Sequence, residues 1–324
     1  MNSLPPPPSS ATSSSNSKPV IDSGERNWLD LPRDAILSIF RKLDTIDTLV
    51  RAHNVCKTWR KISMDPFLYR TIDMPNLGLP DYTLDLKALC HRAVDYSCGH
   101  IMDINIEDFG TDDLLHHIAD SASHLRRLRL ACCWALSDEA LCEVAEKFPH
   151  LEEIDISIGN LSDRSLGAIG RCCPQLKTCK FNSEVYRHPH IESNDEAFAI
   201  AKTMPGLRHL QLIGNKMTND GLLAILDGCP LLESLDMRRC LNVNLVGSLG
   251  KRCQEQIKCL RLPCDATDDY PFETECDDGS GGGDFSDGIL DVDMISDDDY
   301  DVYPYGYDEL SDGEFSDDNP YGDF

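Results

Sequence analysis

The chain has 324 residues, 41% of them hydrophobic, and a formal net charge of −26, which is length enough for two modest domains. From residue 265 to the end there are 22 Asp/Glu and no Lys/Arg, so residues 1–264 hold only −4 of that charge and the acidity belongs to a tail. This balance excludes a basic nucleic-acid footprint, and no apolar run has the length needed to span a bilayer.

Residues 1–25 contain the run Pro5 to Pro8 and a Ser/Thr/Asn tract with no apolar stretch. They are expected to be disordered and are not a secretory leader. The expected protein is therefore soluble, in the nucleus or the cytoplasm, without membrane or nucleic-acid partners. Its 15 cysteines are expected as reduced thiols. No CxxC pair occurs, and neither His116-His117 nor His188-Pro189-His190 has cysteines at zinc-finger spacing, so no metal or cofactor is expected.

The next segment carries the first ordered signal. Leu31-Pro32 opens a helix, with Pro favoured at a first helical position. Ile36, Ile39, Phe40 and Leu43 follow on one helical face. A second short helix is expected to be capped by Asp47 and to carry Leu49, Val50 and Ala52. A third carries Val55, Trp59 and Ile62 and stops near Asp65-Pro66. Three such helices bury too little surface to be self-sufficient, which leaves a face for a partner. The order Leu31-Pro32, apolar helix, Val55-Cys56-Lys57-x-Trp59-Arg60, then Asp65-Pro66-x-Leu68-Tyr69 closely resembles the F-box. That resemblance implies a helical module that binds the Skp1 adaptor of cullin–RING ubiquitin ligases. It makes Leu31, Pro32, Leu37, Phe40, Leu43, Val55 and Trp59 the residues that build or support the adaptor interface. Spacing leaves open which of them face out.

From residue 101 to residue 262 an apolar pattern recurs at Ile101, Leu125, Leu151, Leu176, Leu207, Leu232 and Ile257, with spacings of 24, 26, 25, 31, 25 and 25 residues. Each unit alternates in period two like a half-buried strand, then turns helical behind an N-cap such as Ser137. Pro149, Pro174, Pro205 and Pro230 end the helices. Tyr69-x-x-Ile72-x-Met74 is a possible degenerate unit ahead of the array. The period and strand-plus-helix pattern are those of leucine-rich repeats, and the Cys173-Pro174 and Cys229-Pro230 joints resemble the cysteine-containing class that often follows an F-box. The expected architecture is α/β: a disordered N-terminus (1–25), a three-helix F-box (26–72), a right-handed leucine-rich-repeat horseshoe of about seven units (73–264) and a disordered acidic tail (265–324). Parallel strands would line the concave face and helices the convex one.

In such an array the central outward residues are Asn105, Arg129, Asp155, Lys180, Gln211, Asp236 and Arg261, flanked by Arg127, Glu153, Ser157, His209, Ser234 and Arg238. This mixed-charge row reads either as a solvated sheet face or as a recognition surface for a protein segment. The unit from Leu176 is six residues longer than its neighbours. Its insertion offers Tyr186, Arg187, His188 and His190 as further candidates, although a tolerated surface loop fits as well. The tail is expected to be dispensable for folding. The alternative is that it folds back on Arg127, Arg129, Lys180, Arg238 and Arg261 as a self-inhibitory strand.

Together the two resemblances point to the F-box/LRR family, in its plant form. They imply a non-catalytic substrate receptor of an SCF-type ligase, with Skp1 and a cullin as partners and an unknown protein as substrate. A leucine-rich-repeat scaffold that delivers no substrate is the alternative. A hormone sensor would need a basic inositol-phosphate cluster that the balanced charge does not offer. No phosphate loop, nucleophile elbow or metal spacing suggests an enzyme.

Overall fold

The protein is described from a computed structural model covering residues 31–75, 84–183 and 191–272. Eight parallel strands form one sheet in strictly sequential order. They are β1 (Thr71–Met74), β2 (Asp103–Glu107), β3 (Arg127–Ala131), β4 (Glu153–Ser157), β5 (Thr178–Asn182), β6 (His209–Gln211), β7 (Ser234–Asp236) and β8 (Cys259–Arg261). Parallel neighbours require a crossover, and a helix supplies each one. In chain order these are α4 (Leu86–Ser97), α5 (Asp112–Ser121), α6 (Asp138–Val144), α7 (Asp163–Cys172), α8 (Asp195–Thr203), α9 (Asn219–Gly228) and α10 (Ser248–Gln256).

The register keeps equivalent residues in step. Ile72, Ile104, Leu128, Ile154, Cys179, Leu210 and Leu235 are direct neighbours across the sheet, and all are buried in one continuous core. The N-caps extend from repeat to repeat. Asp112 accepts from the Ser137 amide and hydroxyl, and Asp138 does the same for Ser162. Asn194 accepts from the Thr218 amide and Asn219 from the Asn244 amide. The starts of α5, α6, α8 and α9 thus satisfy backbone donors of the next repeat. The joint cysteines Cys173 and Cys229 are core, as is Cys240 in the loop after β7, and burial pushes their thiols up to about 12, 11 and 12 respectively.

The helical module comprises α1 (Arg33–Phe40), a π-helical turn (Asp47–Ala52) running into α2 (His53–Val55), α3 (Lys57–Ser63) and a 3₁₀ turn (Pro66–Tyr69). Pro32 sits just before α1, and its carbonyl accepts from Ala35 and Ile36. The cap expected of Asp47 is supplied by Asp44, whose carboxylate accepts from the Asp47 amide at 2.5 Å. The Cys56 thiol accepts from the Trp59 amide and Asp65 from the Phe67 amide. Arg33 reaches Asp65 at 2.5 Å, joining the start of the module to its end.

The boundary expected at residue 72 falls inside β1, so the degenerate unit is the first strand of the sheet. Ile46, Leu49 and Tyr69 of the module lie in the core of the array. The Tyr69 hydroxyl donates to the Ser63 carbonyl at 2.6 Å, and its ring packs 5.7 Å from Tyr96 of α4. At the other end, the chain beyond residue 264 continues as described structure to residue 272. The first eight residues assigned to the acidic tail therefore belong to the folded unit. The expected disordered N-terminus and the tail after 272 lie outside the described residues, as do Tyr186, Arg187, His188 and His190 of the insertion.

Candidate functional site

Alternation places every other strand residue on the face opposite the helices, and the register lines those residues up. Asn105, Arg129, Asp155, Lys180, Gln211, Asp236 and Arg261 are successive partners across β2 to β8. Side chains join those from Arg129 to Arg261 into one polar chain, while Asn105 donates to Asp73 of β1 at 2.7 Å. Arg129 and Lys180 each approach Asp155 at 3.5 Å, and Lys180 also meets Glu153 at 3.1 Å. Burial alone would lower the Lys180 ammonium, but Asp155 and Glu153 outweigh it and hold its pKa above the ordinary range. Ser157 donates to Asp155 at 2.6 Å, and Asn182 donates to Ser157 and to Gln211 at 2.9 and 3.0 Å. Gln211 donates to Asp236 at 3.0 Å.

The chain of contacts ends on Arg238, for which the expectation needs correction. Arg238 alternates outward as expected, yet it is only 2% exposed. Its guanidinium donates to both oxygens of Asp236 at 2.8–3.1 Å, to the Ala266 carbonyl at 2.9 Å and to Asp269. Asp269 also accepts from Arg261 at 2.7 and 2.9 Å, and these hydrogen bonds, Arg238 first, hold its carboxyl below the usual carboxylate range. Arg238 is thus a buried ionic anchor for the segment after β8. Asp155 and Asp236, expected as open contacts, are also buried, and their oxygens are occupied by neighbouring side chains.

The other candidates separate by position. Arg127 pairs with Asp103 at 2.7 Å, nearer the starts of the strands. His209 is exposed in the same row, beside Ser234. Sequence reasoning missed Asp269, Tyr270 and Phe272. They lie past the last apolar repeat position, and their place on the sheet is a long-range event.

On the module, Leu31 is 38%, Leu43 37% and Val55 60% exposed, and Pro32 is also exposed. Met64 and Phe67, not singled out from sequence, join them at 43% and 53%. Leu37 and Phe40 are buried with Ile36, Ala52 and Ile62. The Phe40 ring meets Trp59 edge-on at 5.1 Å, so Leu37 and Phe40 support the module from within. Among the described residues no His/Cys/Asp/Glu group is arranged to hold a metal, and no helix is long and apolar enough to cross a membrane.

Comparison with known proteins agrees with both halves. The family described as F-box-like matches residues 28–75, and the family described as Leucine Rich repeat matches residues 205–226. The Arabidopsis thaliana protein named F-box protein SKIP19 is 45% identical over 90% of this chain and 92% of its own length. From the same plant, F-box/LRR-repeat protein 22 is 42% identical over 81% of this chain and 86% of its own. F-box/LRR-repeat protein 23 is 46% identical over 76% of this chain and 56% of its own. With a helical F-box module fused through β1 to an eight-stranded repeat sheet, and relatives more than 40% identical, two of them matched over most of their own length, the chain belongs to the plant F-box/LRR-repeat protein family.

Proposed function

We propose that this protein is the substrate-recognition subunit of an SCF-type ubiquitin ligase, with the helical module on a Skp1-type adaptor and the outward sheet face on the protein to be ubiquitinated. Proteins of this family are generally adaptor subunits rather than catalysts. The chain's contribution would accordingly be positional: it holds a substrate lysine near chemistry performed by other subunits.

The observation that carries the reading is the set of apolar side chains left uncovered on so small a module. Leu31, Leu43, Val55, Met64 and Phe67 are all more than a third exposed. Burying a side chain of this kind against a partner contributes roughly 1.5–3 kcal/mol, and a few such anchors dominate an interface. Phe40 and Trp59 would fix the geometry beneath them. The test is co-purification of Skp1 with the full chain. Leu31→Ala combined with Pro32→Ala should remove the adaptor while the array keeps its unfolding transition. Undiminished Skp1 binding would overturn the assignment. Affinity purification with and without a neddylation inhibitor then separates a receptor, which accumulates substrate when the ligase is blocked, from a scaffold, which does not.

A further inference from the structure

The segment after β8 turns back across the outward face of the sheet. Asp265 exchanges hydrogen bonds with Leu262 to make the turn, and the Tyr270 amide donates to the Thr267 carbonyl. The Ala266 carbonyl and the Asp269 carboxylate take Arg238, and Asp269 also takes Arg261. Phe272 lies 5.7 Å from the guanidinium of Arg129, and Tyr270 packs edge-on against Phe272 at 5.4 Å.

These contacts span the sheet. Arg129 is on β3 and Arg261 on β8, five strand spacings of about 4.8 Å, or roughly 24 Å. The eleven steps from Arg261 to Phe272 could reach at most about 40 Å, so the strap is long enough to make the crossing with turns at Asp265 and Tyr270. It engages three of the cations on this face through two chemistries: a carboxylate between Arg238 and Arg261, and an aromatic ring on Arg129. Lys180, His209 and Gln211 stay in the open groove beside Asp269.

We propose that the outward face is a binding site for extended peptides carrying an acidic residue directly before an aromatic one, with a second aromatic two residues further on. In this arrangement Asp269-Tyr270-Pro271-Phe272 occupies the site in cis, and a substrate must displace it. Identifying that peptide with the protein to be ubiquitinated rests on the receptor reading above, whereas the binding chemistry does not depend on the adaptor. The strap sets a threshold: an incoming peptide binds with an apparent affinity reduced by the fraction of molecules whose strap is released. Only segments that match its chemistry, or exceed its affinity, would displace it.

The test uses the full chain and a labelled synthetic peptide with the sequence of residues 266–274, alongside a scrambled control, read by fluorescence anisotropy. Asp269→Asn, Tyr270→Ala and Phe272→Ala combined should raise peptide affinity by about tenfold or more over the unaltered protein. Arg129→Ala and Arg261→Ala added to that background should abolish the gain, and the gain should shrink at high salt. Asp236 still pairs with Arg238 in this variant. Should it fail to fold, hydrogen exchange on the unaltered chain replaces it, and excess peptide, but not the scrambled control, must speed exchange in residues 265–272. Equal affinity for peptide and scrambled control in a folded variant would overturn the proposal and leave the strap as a permanent cap of the array. So would strap exchange that ignores the peptide. Skp1 co-purification measured on the same variants keeps the readings apart. Peptide binding without Skp1 binding defeats the receptor reading alone, and Skp1 binding without peptide binding defeats this one alone.

Discussion

The module of residues 31–69 and the repeat array that follows differ in how their cores are built, although both leave some large apolar side chains exposed, Val246 of the array at 81% among them. The module has a buried cluster of its own of only five side chains, Ile36, Leu37, Phe40, Ala52 and Ile62, and it leaves Val55 and Phe67 more than half exposed. In the array each unit adds its strand and helix residues to a single core that runs from Ile72 to Ile257. A repeat can always cover its neighbour, so stability accumulates along the solenoid. A bundle of three short helices has no such neighbour. It lends Ile46, Leu49 and Tyr69 to the array and leaves other apolar side chains exposed.

The harshest way to break this comparison is Tyr69→Ala, which removes a buried ring shared by the two regions and its hydrogen bond to Ser63. A loss of about 3–5 kcal/mol is expected for truncating a buried aromatic. Hydrogen exchange should show α1 and α3 losing protection beyond that of β3 to β5. Equal loss everywhere would mean that the two regions are not distinguishable units. Ile154→Ala, at the centre of the array, should cost about 2–5 kcal/mol and lower the urea midpoint seen by every probe together. Separate transitions on the two sides of β4 would deny the array its continuous core.

Surface changes sharpen the contrast. Val55→Ala should alter folding stability by no more than about 0.5 kcal/mol while weakening Skp1 binding roughly tenfold or more. Calorimetry and a binding titration on the same variant check both arms. The cysteines supply a chemical counterpart. Exposed Cys98, Cys259 and Cys264 should be alkylated in the native protein. Cys229 and Cys240 are buried and their thiols raised to about 11 and 12, so they should react only on unfolding, as mass spectrometry would show.

The smallest expected effect lies at the seam. His53 accepts or donates a hydrogen bond at Ser63 and stacks on Tyr96 at 6.5 Å. Burial, with Arg92 and Arg60 adding to it, lowers its pKa below 6.5. Because the folded value is the lower one, the neutral form is favoured by folding. Its contribution is complete above about pH 6.5 and is lost as pH falls through the lowered folded value. His53→Gln should flatten that part of the stability–pH curve, and an unchanged curve would remove His53 from the seam.

Much of this molecule is legible in its amino-acid sequence. The outward row from Asn105 to Arg261 could be named from alternation alone, because a parallel sheet built from equal units brings equivalent positions side by side. The helical module could be located because Leu31-Pro32, the apolar stripe and the Val55–Arg60 block occur in a fixed order. Its inner and outer residues could not be told apart. Leu37 and Phe40 share a helix with exposed neighbours, and only the position of Trp59 on α3 decides which side is closed. Nor did local patterning show that Asp44 rather than Asp47 makes the cap, since both carboxylates are within reach of the same turn.

By itself the sequence determined the repeat period, the strand faces, the helix stops at proline and the presence of an F-box-like module, because each depends on residues within one or two turns of one another. Only the tertiary structure decided that Tyr69 ties the module to the array and that Arg238 is buried. Only the tertiary structure placed an acidic–aromatic strap over the face that alternation had marked as open. Those outcomes depend on pairs such as Arg238 and Asp269, or Arg129 and Phe272. Such pairs are distant in the chain and meet only when the whole sheet is assembled, so local periodicity carries no record of them.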